Sequence, residues 1–416
     1  MASKSFEGII VGGGIIGTAV CMTLAKRTNA SLALLEAEPE LALHQTSRNS
    51  GVIHSGLYYR PGSLKARTCV RGREALYRFC QEHGIEHERC GKIVVASEKS
   101  ELGALKRLWK RGEANGLSGL KFLTKEEIRD YEPNAQGEAA LYVPQTGIVD
   151  FKQVAEKFAQ EARRYGAVII TSSKVFGFQR KGESFLIEST SGTYQCRFLV
   201  NTAGLYSDRI AKLCGLESPV RIIPFRGEYY ELVAERRALV RNLIYPVPDP
   251  RFPFLGVHFT RLIDGRVEAG PNAVLSLKRT GYSKFSFSFK DTFQTLAFPG
   301  FWRLAVRYFG TGLKEFCRSL SKSKFTKALQ RLVPEVRKED LVEAPSGVRA
   351  QAVDRGGFLL DDFKLIVEEG MVHVLNAPSP AATACLAIAE TIANTVIRKA
   401  GLKSLSLPLL EELLGS

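Results

Sequence analysis

The first 35 residues alternate between apolar runs and small or polar breaks, and this pattern predicts a strand, a tight turn, a helix and a second strand. Residues 6–11 are mostly apolar, 12–17 are glycine-rich, 18–27 have a helical pattern, and 31–35 are again mostly apolar. Short apolar runs bounded by turn residues are typical of buried strands. A helix between two such strands predicts a βαβ unit.

The same alternation continues along the chain. Further helices are predicted near 65–83, 152–165 and 381–398, with short strands between them. Residues 222–273 are rich in strand patterns and prolines, whereas 291–332 are helical and basic. A chain that returns to sheet after each helical segment is typical of an α/β fold, so we predict this class, with an α+β organisation overall.

Length and composition indicate a globular protein of two or three domains. The chain has 416 residues, of which 45% are hydrophobic and 24% charged, and a domain holds roughly 100–200 residues. No apolar stretch reaches the length of about 18 residues that would span a bilayer. The unusual value is the formal charge of +15. An acidic substrate, an anionic membrane surface or a polyanion would each account for it.

The eight cysteines are scattered and form no C-x-x-C pair. This distribution favours a reducing compartment over a disulfide framework or a zinc site, and we expect no bound metal. Only five residues precede the first apolar run, which is too few for a signal or transit peptide. We therefore expect a cytoplasmic protein.

The strongest local motif is G-x-G-x-x-G, formed by Gly12, Gly14 and Gly17 between the first strand and the first helix. In dinucleotide-binding proteins these glycines allow the tight turn, the approach of the pyrophosphate and the close contact of helix and strand. Glu36 ends the second strand 19 positions after Gly17. A carboxylate there binds an adenosine ribose and disfavours the 2′-phosphate of NADP. An ordinary glycine-rich turn is the alternative.

Two further segments bear on the identity of the cofactor. Asn201–Gly204 follows an apolar strand and resembles the second dinucleotide motif of flavoproteins of the glutathione-reductase and D-amino-acid-oxidase types. A plain strand-to-helix turn is the alternative. His44–Gly56 is rich in polar and small residues without a predicted helix or strand, and it is placed to wrap a flavin.

Four uncommon sequence segments identify a family. They are HQTSRNSGVIHSG at 44–56, PFRGEYY at 224–230, IYPVPDPRFPFLGVH at 244–258 and NAPSPAAT at 376–383. Through them the chain, from about Phe6 to about Ile397, resembles the L-2-hydroxyglutarate dehydrogenase/oxidase family, FAD enzymes of the D-amino-acid-oxidase superfamily. Ser47 and Arg48 depart from the family pattern, which has a Gly-His pair there, so no functional role is carried over to them.

The resemblance implies oxidation of L-2-hydroxyglutarate to 2-oxoglutarate, with a hydride passed to flavin N5 and electrons then passed to a quinone or to oxygen. It also implies a Rossmann-type FAD-binding domain and a discontinuous second, antiparallel-sheet substrate domain. We expect the former at 1–85, 143–215 and 340–416, and the latter at 86–142 and 216–339 with a basic aromatic insert at 278–331. The residues expected to bind FAD are Gly12, Gly14, Gly17, Glu36, Thr46, Asn49, Gly51, Val175, Ala203, Gly204, Ser379 and Ala381.

Ser379 and Ala381 lie in the stretch Asn376–Ala382, which opens the last predicted helix. A helix N-terminus aimed at the flavin would stabilise negative charge on the reduced ring. A capped helix without a ligand is the alternative.

Oxidation of a hydroxy acid needs a base for the hydroxyl proton, and histidine is the usual choice. His54 and His258 are the candidates, because each lies in a glycine-bearing loop within the family-like segments. A histidine with a structural hydrogen bond is the alternative for either. His373 lies in an apolar strand and is expected in the core.

Arginine binds carboxylates through two parallel hydrogen bonds. Arg349 resembles the carboxylate-binding arginine of the amino-acid oxidase superfamily, and Arg226 lies in the predicted substrate domain. Both are expected to hold the substrate, with a surface salt bridge as the alternative. Tyr245 and Tyr229 are expected to add hydroxyl donors.

Most of the excess charge falls in the insert at 278–331, which holds twelve basic residues against two acidic ones, together with twelve aromatic residues. Such a segment can lie on an anionic membrane with its rings among the headgroups. A quinone would collect electrons there, and the protein would be peripheral on the inner face of the cell membrane. A solvated face over an aromatic core is the alternative.

Other functions are also compatible with the residues. They are a flavoenzyme acting on another 2-hydroxy acid, a 2-amino acid or glycerol 3-phosphate, a flavoprotein that contacts tRNA phosphates, and a flavin-binding protein without catalysis. Nucleic acid is not needed to explain the charge once the insert is assigned to a membrane.

Overall fold

A computed structural model describes residues 4–249 and 256–405 together with residues 410 and 413. Residues 250–255 of the segment at 244–258, and residues 406–409, 411–412 and 414–416 near the C-terminal end, lie outside the described residues. The strands are β1 (Lys4–Ser5), β2 (Gly8–Val11), β3 (Leu32–Leu35), β4 (Val52–Ile53), β5 (His87–Glu88), β6 (Lys92–Ala96), β7 (Lys121–Thr124), β8 (Ala139–Val143), β9 (Gly147–Val149), β10 (Val168–Ile170), β11 (Val175–Lys181), β12 (Ser184–Ser189), β13 (Gly192–Cys196), β14 (Phe198–Asn201), β15 (Val220–Leu232), β16 (Leu243–Pro246), β17 (His258–Arg261), β18 (Val267–Gly270), β19 (Val274–Leu275), β20 (Leu341–Asp354), β21 (Lys364–Glu368) and β22 (Met371–Asn376). The helices are α1 (Ile15–Arg27), α2 (Leu64–Glu82), α3 (Leu102–Ala114), α4 (Ile128–Tyr131), α5 (Phe151–Arg164), α6 (Ser207–Leu213), α7 (Phe289–Leu296), α8 (Pro299–Arg307), α9 (Phe309–Ser319), α10 (Lys322–Gln330) and α11 (Cys385–Ala400).

Six strands form a mostly parallel sheet in the order β10-β3-β2-β14-β22-β21. Only β21 runs antiparallel to its neighbour. The residues of β2, β3 and β14 are buried throughout, as expected where layers cover both faces of a parallel sheet. β2, α1 and β3 are the βαβ unit predicted for the first 35 residues, and the α/β class is confirmed.

Alternate residues of β2 pack into different layers. Ile10 belongs to a core cluster formed with α1, α5 and α11. Ile9 and Val11 pack instead against the small sheet β1-β13-β12-β11. The parallel sheet is therefore covered by helices on one face and by a small sheet on the other, and the ends of β2, β3 and β14 face a large cavity.

The other large sheet of the molecule has nine strands, in the order β19-β15-β18-β17-β16-β6-β8-β7, with β20 also paired to β15. Neighbouring strands in this sheet run antiparallel, except for β16 and β6, which are parallel. Phe325 and Leu329 of α10 pack with Ile244 and Phe259 of the sheet in one buried cluster. The predicted second domain with a mainly antiparallel sheet is confirmed.

The pairing of β20 bears on the expected domain limits, which stay a prediction. The sequence places 340–416 in the FAD-binding domain, but β20 pairs with β15 from Val220 opposite Asp354 to Leu232 opposite Leu341. The chain returns to the parallel sheet only at β21 and β22. The partners in this pairing lie more than 100 residues apart in sequence, so no local pattern indicates it. A second, smaller difference is the two-residue strand β4 within the predicted loop at 44–56, which pairs with β9.

The insert forms the four helices α7, α8, α9 and α10, in agreement with the helical pattern predicted at 291–332. The first three expose large apolar side chains, among them Phe289 (84% exposed), Val306 (78%) and Phe293 (73%). Among the described residues, no helix is both long and apolar enough to cross a membrane.

Candidate active site

A cavity of about 1650 Å³ lies between the end of the parallel sheet and one face of the larger sheet. Common small-molecule pockets have volumes of roughly 300–1,000 Å³. The cavity is lined by Gly12, Glu36 and Ala203 on one side and by Tyr245 and His258 on the other. Its size and its two-sided lining suit a dinucleotide together with a small substrate.

The glycine turn between β2 and α1 leaves room for a phosphate group. Gly12 has a φ of +109°, and a Cβ atom there would lie 2.6 Å from the carbonyl oxygen of Thr202. A Cβ atom on Gly17 would lie 1.9 Å from the carbonyl oxygen of Gly12. At Gly14 the only atom near an added Cβ is Oγ1 of Thr46, 3.3 Å away. Gly12 and Gly14 line the cavity, whereas Gly17 shapes the turn from behind.

Glu36 is held in a fixed orientation at the end of β3. Its Oε2 accepts a hydrogen bond from Gly13 N (2.5 Å), and its Oε1 accepts one from Glu38 N (2.9 Å). A carboxylate has about four lone-pair sites, so acceptor capacity is left for ribose hydroxyls. Val175, at the start of β11, lines the same cavity, and Ser173 N donates to the carbonyl oxygen of Glu36 (2.7 Å).

The loop that follows β3 is organised by its own side chains. Thr46 Oγ1 accepts a hydrogen bond from Ile15 N (3.0 Å) at the N-terminus of α1. Asn49 Nδ2 donates to the carbonyl oxygens of Gln45 (3.0 Å) and Thr46 (2.6 Å), and Asn49 Oδ1 accepts from Gly51 N (2.9 Å). Thr46 and Asn49 line the cavity. Gly51, with a φ of +65°, instead allows the chain to turn.

β14 ends beside the glycine turn. Thr202 Oγ1 donates to the carbonyl oxygen of Val11 (3.0 Å) and so joins the ends of two neighbouring strands. Ala203 and Gly204 follow and line the cavity. A Cβ atom on Gly204 would lie 2.9 Å from Gln45 Oε1. The small residues predicted from the sequence therefore form a wall made mainly of backbone and methyl groups.

The loop before α11 meets the residue that follows β4. Ser379 and Ala381 line the cavity. His54 N donates to Thr383 Oγ1 (3.0 Å), and Ser379 Oγ lies 3.3 Å from His54 Nε2. These contacts fix one candidate histidine against the approach to the last helix.

His258 is held in one orientation and one tautomer. Its ring stacks on the ring of Tyr245, with centroids 3.8 Å apart. Nδ1 lies 2.8 Å from the carbonyl oxygen of Gly256. Because a carbonyl oxygen only accepts, Nδ1 carries the proton, and the lone pair of the neutral ring is on Nε2. Burial lowers the pKa of His258 to about 3, and the charges of Arg349 and Lys92 act in the same direction.

His54 is the second histidine of the cavity wall. Its Nδ1 is buried and has no hydrogen-bond partner among the described residues. Burial lowers its pKa to about 3, with further lowering from the charges of Lys92 and His258. Both imidazoles are therefore neutral. We call the part of the cavity that is lined by His54, His258 and their neighbours on the larger sheet the chamber.

Arg349 lies on β20 on the same face as Gln351, because alternate residues of a strand share a face. Both line the cavity, as does Tyr229 of the neighbouring strand β15. Burial raises the pKa of Tyr229 to about 12, and the adjacent guanidinium of Arg349 opposes this rise. Arg349 thus lies beside a tyrosine hydroxyl on the wall of the chamber.

Arg226 lies elsewhere. It is opposite Val348 in the pairing of β15 with β20, one position away from Arg349, and so occupies the other face of the sheet. It is buried, and its Nη2 pairs with Glu228 Oε1 at 2.8 Å, while its Nη1 donates to the carbonyl oxygen of Ser283. The sequence assigns Arg226 to a substrate carboxylate, but in the structure the guanidinium binds the protein's own carboxylate.

Two residues beside the chamber are missing from the sequence-based set. Tyr58 lines the cavity, and its hydroxyl is buried without a hydrogen-bond partner among the described residues. Lys92 Nζ lies 4.4 Å from the ring centroid of Tyr58 and 4.8 Å from that of Tyr245. The usable signal in the sequence is a lysine as the first residue of an otherwise apolar strand.

Comparisons with known proteins agree with a flavin site. The sequence profile of the family described as FAD dependent oxidoreductase matches residues 8–395. The chain is 50% identical over 396 residues to an L-2-hydroxyglutarate dehydrogenase of Indibacter alkaliphilus, an alignment that covers 95% of this chain and 99% of that protein. It is 44% identical over 413 residues to the mitochondrial L-2-hydroxyglutarate dehydrogenase of Homo sapiens, covering 95% of this chain and 89% of that protein.

Solved structures share the fold. The L-alpha-glycerophosphate oxidase of Mycoplasma pneumoniae with FAD bound superposes with a TM-score of 0.79 at 21% identity, covering 98% of each chain. The glycine oxidase of Geobacillus kaustophilus superposes with a TM-score of 0.72 at 20% identity, covering 95% of this chain and 96% of that one. At these identities the superpositions establish the architecture.

Proposed function

The chain belongs to the L-2-hydroxyglutarate dehydrogenases within the family of FAD-dependent oxidoreductases, and from this premise we propose that it oxidises L-2-hydroxyglutarate to 2-oxoglutarate. The observation that carries the proposal is the chamber, where His258 and Arg349 line one cavity together with the dinucleotide-binding turn. Dehydrogenation of a hydroxy acid needs a proton acceptor and a carboxylate ligand beside a redox cofactor.

The residues present fit FAD. At Gly14 an added Cβ atom would meet only Oγ1 of Thr46, so the backbone can approach a pyrophosphate at the N-terminus of α1, and Glu36 has acceptor capacity for the ribose hydroxyls. Ser379 and Ala381 lie in the loop that leads to α11 and line the same cavity. When bound, FAD supplies the acceptor for the hydride that leaves the substrate carbon.

The chain's own residues provide the acid–base chemistry and the binding of the substrate. Arg349 binds a carboxylate, for which a planar guanidinium is well suited. Nε2 of His258 accepts the hydroxyl proton, because its Nδ1 is already committed to Gly256. A bound anion raises the pKa of a nearby histidine, so substrate brings His258 from about 3 towards the range in which a base works efficiently. We assign His54 and Tyr229 to hydrogen bonds with the substrate oxygens.

For the electron acceptor we propose a quinone in an anionic bilayer, reached through the exposed side of the insert. This insert face is defined by nine apolar side chains, each more than half exposed: Phe285, Phe289, Phe293, Trp302, Val306, Phe309, Leu313, Phe316 and Leu320. Nine exposed apolar side chains between residues 285 and 320 are a concentration of the kind that marks an interaction site.

The charge and the side-chain types of the insert face support a lipid partner. Lys290, Arg303 and Lys314 are exposed on the same helices, and basic residues attract anionic headgroups. Val306 and Leu313 are interleaved with the rings. Aliphatic groups of this kind gain from hydrocarbon and cannot stack on nucleic acid bases as rings do, which favours a bilayer over an RNA.

The reaction is tested under anaerobic conditions by following the flavin absorbance of the holoenzyme. L-2-hydroxyglutarate, the D isomer, L-lactate and glycerol 3-phosphate are mixed in turn at equal concentration. We expect bleaching by the L isomer at a rate that far exceeds the other three. Absence of bleaching by the L isomer would falsify the proposed activity, and faster bleaching by glycerol 3-phosphate would reassign the substrate. Reoxidation by a water-soluble quinone analogue and by oxygen, compared directly, tests the acceptor.

A further inference from the structure

Six cationic side chains are buried in the described part of the chain, and five of them are ion-paired. The pairs are Arg27 with Glu390, Lys65 with Asp361, Arg73 with Glu74, Arg226 with Glu228 and Arg279 with Asp208. The sixth is Lys92, which is 1% exposed. Within the described ranges, no carboxylate forms an ion pair with it.

An unpaired buried ammonium is unusual because removing a charge from water is costly unless a counter-charge replaces the water. Aromatic rings replace part of it, and Lys92 Nζ lies within 5 Å of the ring centroids of both Tyr58 and Tyr245. The remaining cost shows in the pKa of Lys92, which burial lowers to about 7. A lysine with this pKa is about half protonated near neutral pH, and an anion bound nearby would favour its ammonium form.

The position of Lys92 indicates where such an anion would bind. Tyr58 and Tyr245 both line the chamber, and Tyr245 stacks on His258. The charge of Lys92 lowers the pKa of His54 and of His258, so its field reaches both imidazoles. An anion in the chamber would therefore be close enough to interact with the same charge.

We propose that Lys92 is a specificity-determining residue: its ammonium, held behind the rings of Tyr58 and Tyr245, supplies the positive potential for the second carboxylate of a dicarboxylic substrate. Arg349 supplies the charge for the first. The inference rests on the proposed function for its choice of substrate class. It adds that selection of a dicarboxylate over a monocarboxylate depends on a residue of β6 behind the chamber wall.

This arrangement accounts for selectivity towards a dicarboxylate without a second arginine in contact with the substrate. A monocarboxylate leaves Lys92 without a counter-charge, whereas a dicarboxylate brings one into a poorly solvated chamber, where Coulombic attraction is stronger than in water. Two fixed cations thus match two carboxylates. A neutral side chain at position 92 would remove this preference and leave the contacts of Arg349 and the flavin site in place.

The test measures binding and does not depend on turnover. Glutarate and pentanoate have the same chain length but two charges and one charge, respectively, and each is titrated into the holoenzyme while the flavin spectrum is followed. The variants are Lys92→Met, Lys92→Arg and, as a matched control, Lys121→Met, whose ammonium is exposed and lies 5.9 Å from the ring of Tyr131.

We expect the wild type to prefer glutarate and Lys92→Met to lose about tenfold or more in glutarate affinity. Its affinity for pentanoate should change less than about twofold, since the charge of Arg349 is retained. Lys92→Arg should recover part of the preference, and Lys121→Met should behave as wild type. Equal losses for both ligands would show a structural role and overturn the proposal, as would an unchanged preference in Lys92→Met.

Two further results separate this inference from the proposed activity. If L-2-hydroxyglutarate fails to bleach the flavin while Lys92→Met still loses its preference for glutarate, the proposed activity is rejected and the proposed role of Lys92 is retained. If Lys92→Met does not retain FAD, the wild type is titrated with glutarate and its monomethyl ester. Equal affinity for these two ligands would overturn the inference without any variant.

Discussion

The imidazole of His258 stacks on the ring of Tyr245, with the centroids 3.8 Å apart and the planes inclined by 26°. Together with the hydrogen bond from Nδ1 to Gly256, the stacking leaves the ring one position for proton transfer, at Nε2. The strands that carry these residues, β16 and β17, pair antiparallel in the larger sheet. His258 is the first residue of β17. The proposed base is therefore held by regular secondary structure and not by a loop alone.

Replacing this base should reduce turnover and leave the cofactor in place. We expect His258→Asn to lower kcat by about 10²- to 10⁴-fold, the range typical for loss of a general base. The flavin content should equal that of the wild type. Steady-state kinetics with L-2-hydroxyglutarate provide the measurement, with His83→Asn, at the end of α2, as the control. A kcat within about twofold of wild type would exclude His258 as the base.

Arg349→Lys should weaken binding of the substrate carboxylate, because an ammonium cannot form two parallel hydrogen bonds. We expect kcat/KM for L-2-hydroxyglutarate to fall by about ten- to a hundredfold with FAD still bound. Arg303→Lys, on the exposed side of α8, is the matched control. Unchanged kinetics would remove Arg349 from the substrate site.

Glu36→Ala should weaken FAD binding, because the carboxylate both accepts from Gly13 N and offers acceptors to the ribose. Loss of hydrogen bonds to a charged group lowers affinity by about ten- to a hundredfold. The measurement is the ratio of flavin to protein after extended dialysis. Glu40→Ala, whose carboxylate is exposed and pairs with Lys152, should retain its flavin. Equal retention by both variants would contradict the assignment of Glu36.

The insert face should bind vesicles that contain anionic lipid. The double variant Phe289→Ser and Phe293→Ser removes two exposed rings, and each buried Phe contributes about 1.5–3 kcal/mol. We expect the fraction that cosediments with phosphatidylglycerol vesicles to fall sharply, while activity with a soluble acceptor is unchanged. Tyr165→Ser, at the end of α5, is the control. A wild-type protein that stays in the supernatant would count against docking to a membrane.

Stability should depend on pH through the buried histidines. The pKa of His258 is about 3 in the folded protein and about 6.5 in an unfolded chain. Between these values the unfolded state binds more protons, so the free energy of unfolding falls as the pH drops below about 6.5, by up to about 1.4 kcal/mol per pH unit. Urea unfolding between pH 5 and 7 measures this slope. His258→Asn should make it shallower, and identical slopes would contradict the buried, neutral state.

The parts of the site that are local in sequence were open to prediction. The turn at Gly12–Gly17 and the carboxylate of Glu36 belong to one βαβ unit, so their spacing reflects their geometry. All the residues expected to bind FAD lie at the cavity except Gly17 and Gly51, which shape the backbone next to it. A regular pattern over 30 residues was sufficient here, because neighbours in the chain are also neighbours in the fold.

Contacts between distant segments were not open to prediction in the same way. Arg226 and Arg349 look equivalent in the sequence, each next to small or apolar residues, yet the register that sets Phe225 opposite Arg349 puts them on opposite faces. Lys92 carries no motif, and its proposed role depends on Tyr58 and Tyr245, which reach it from two other segments. Such roles follow from contacts between distant segments of the chain, which no local sequence pattern indicates.

The order of strands in the parallel sheet has a consequence for how the protein is made. β2 lies between β3 and β14, and β14 lies between β2 and β22, while α1 packs against α11 in the same core. A ribosome that has synthesised the glycine turn must therefore add about 360 further residues before β22 can complete the sheet. The flavin pocket therefore cannot be complete until residues 377–383, which line it, have also been synthesised, so the chain cannot hold FAD in its final site before that point.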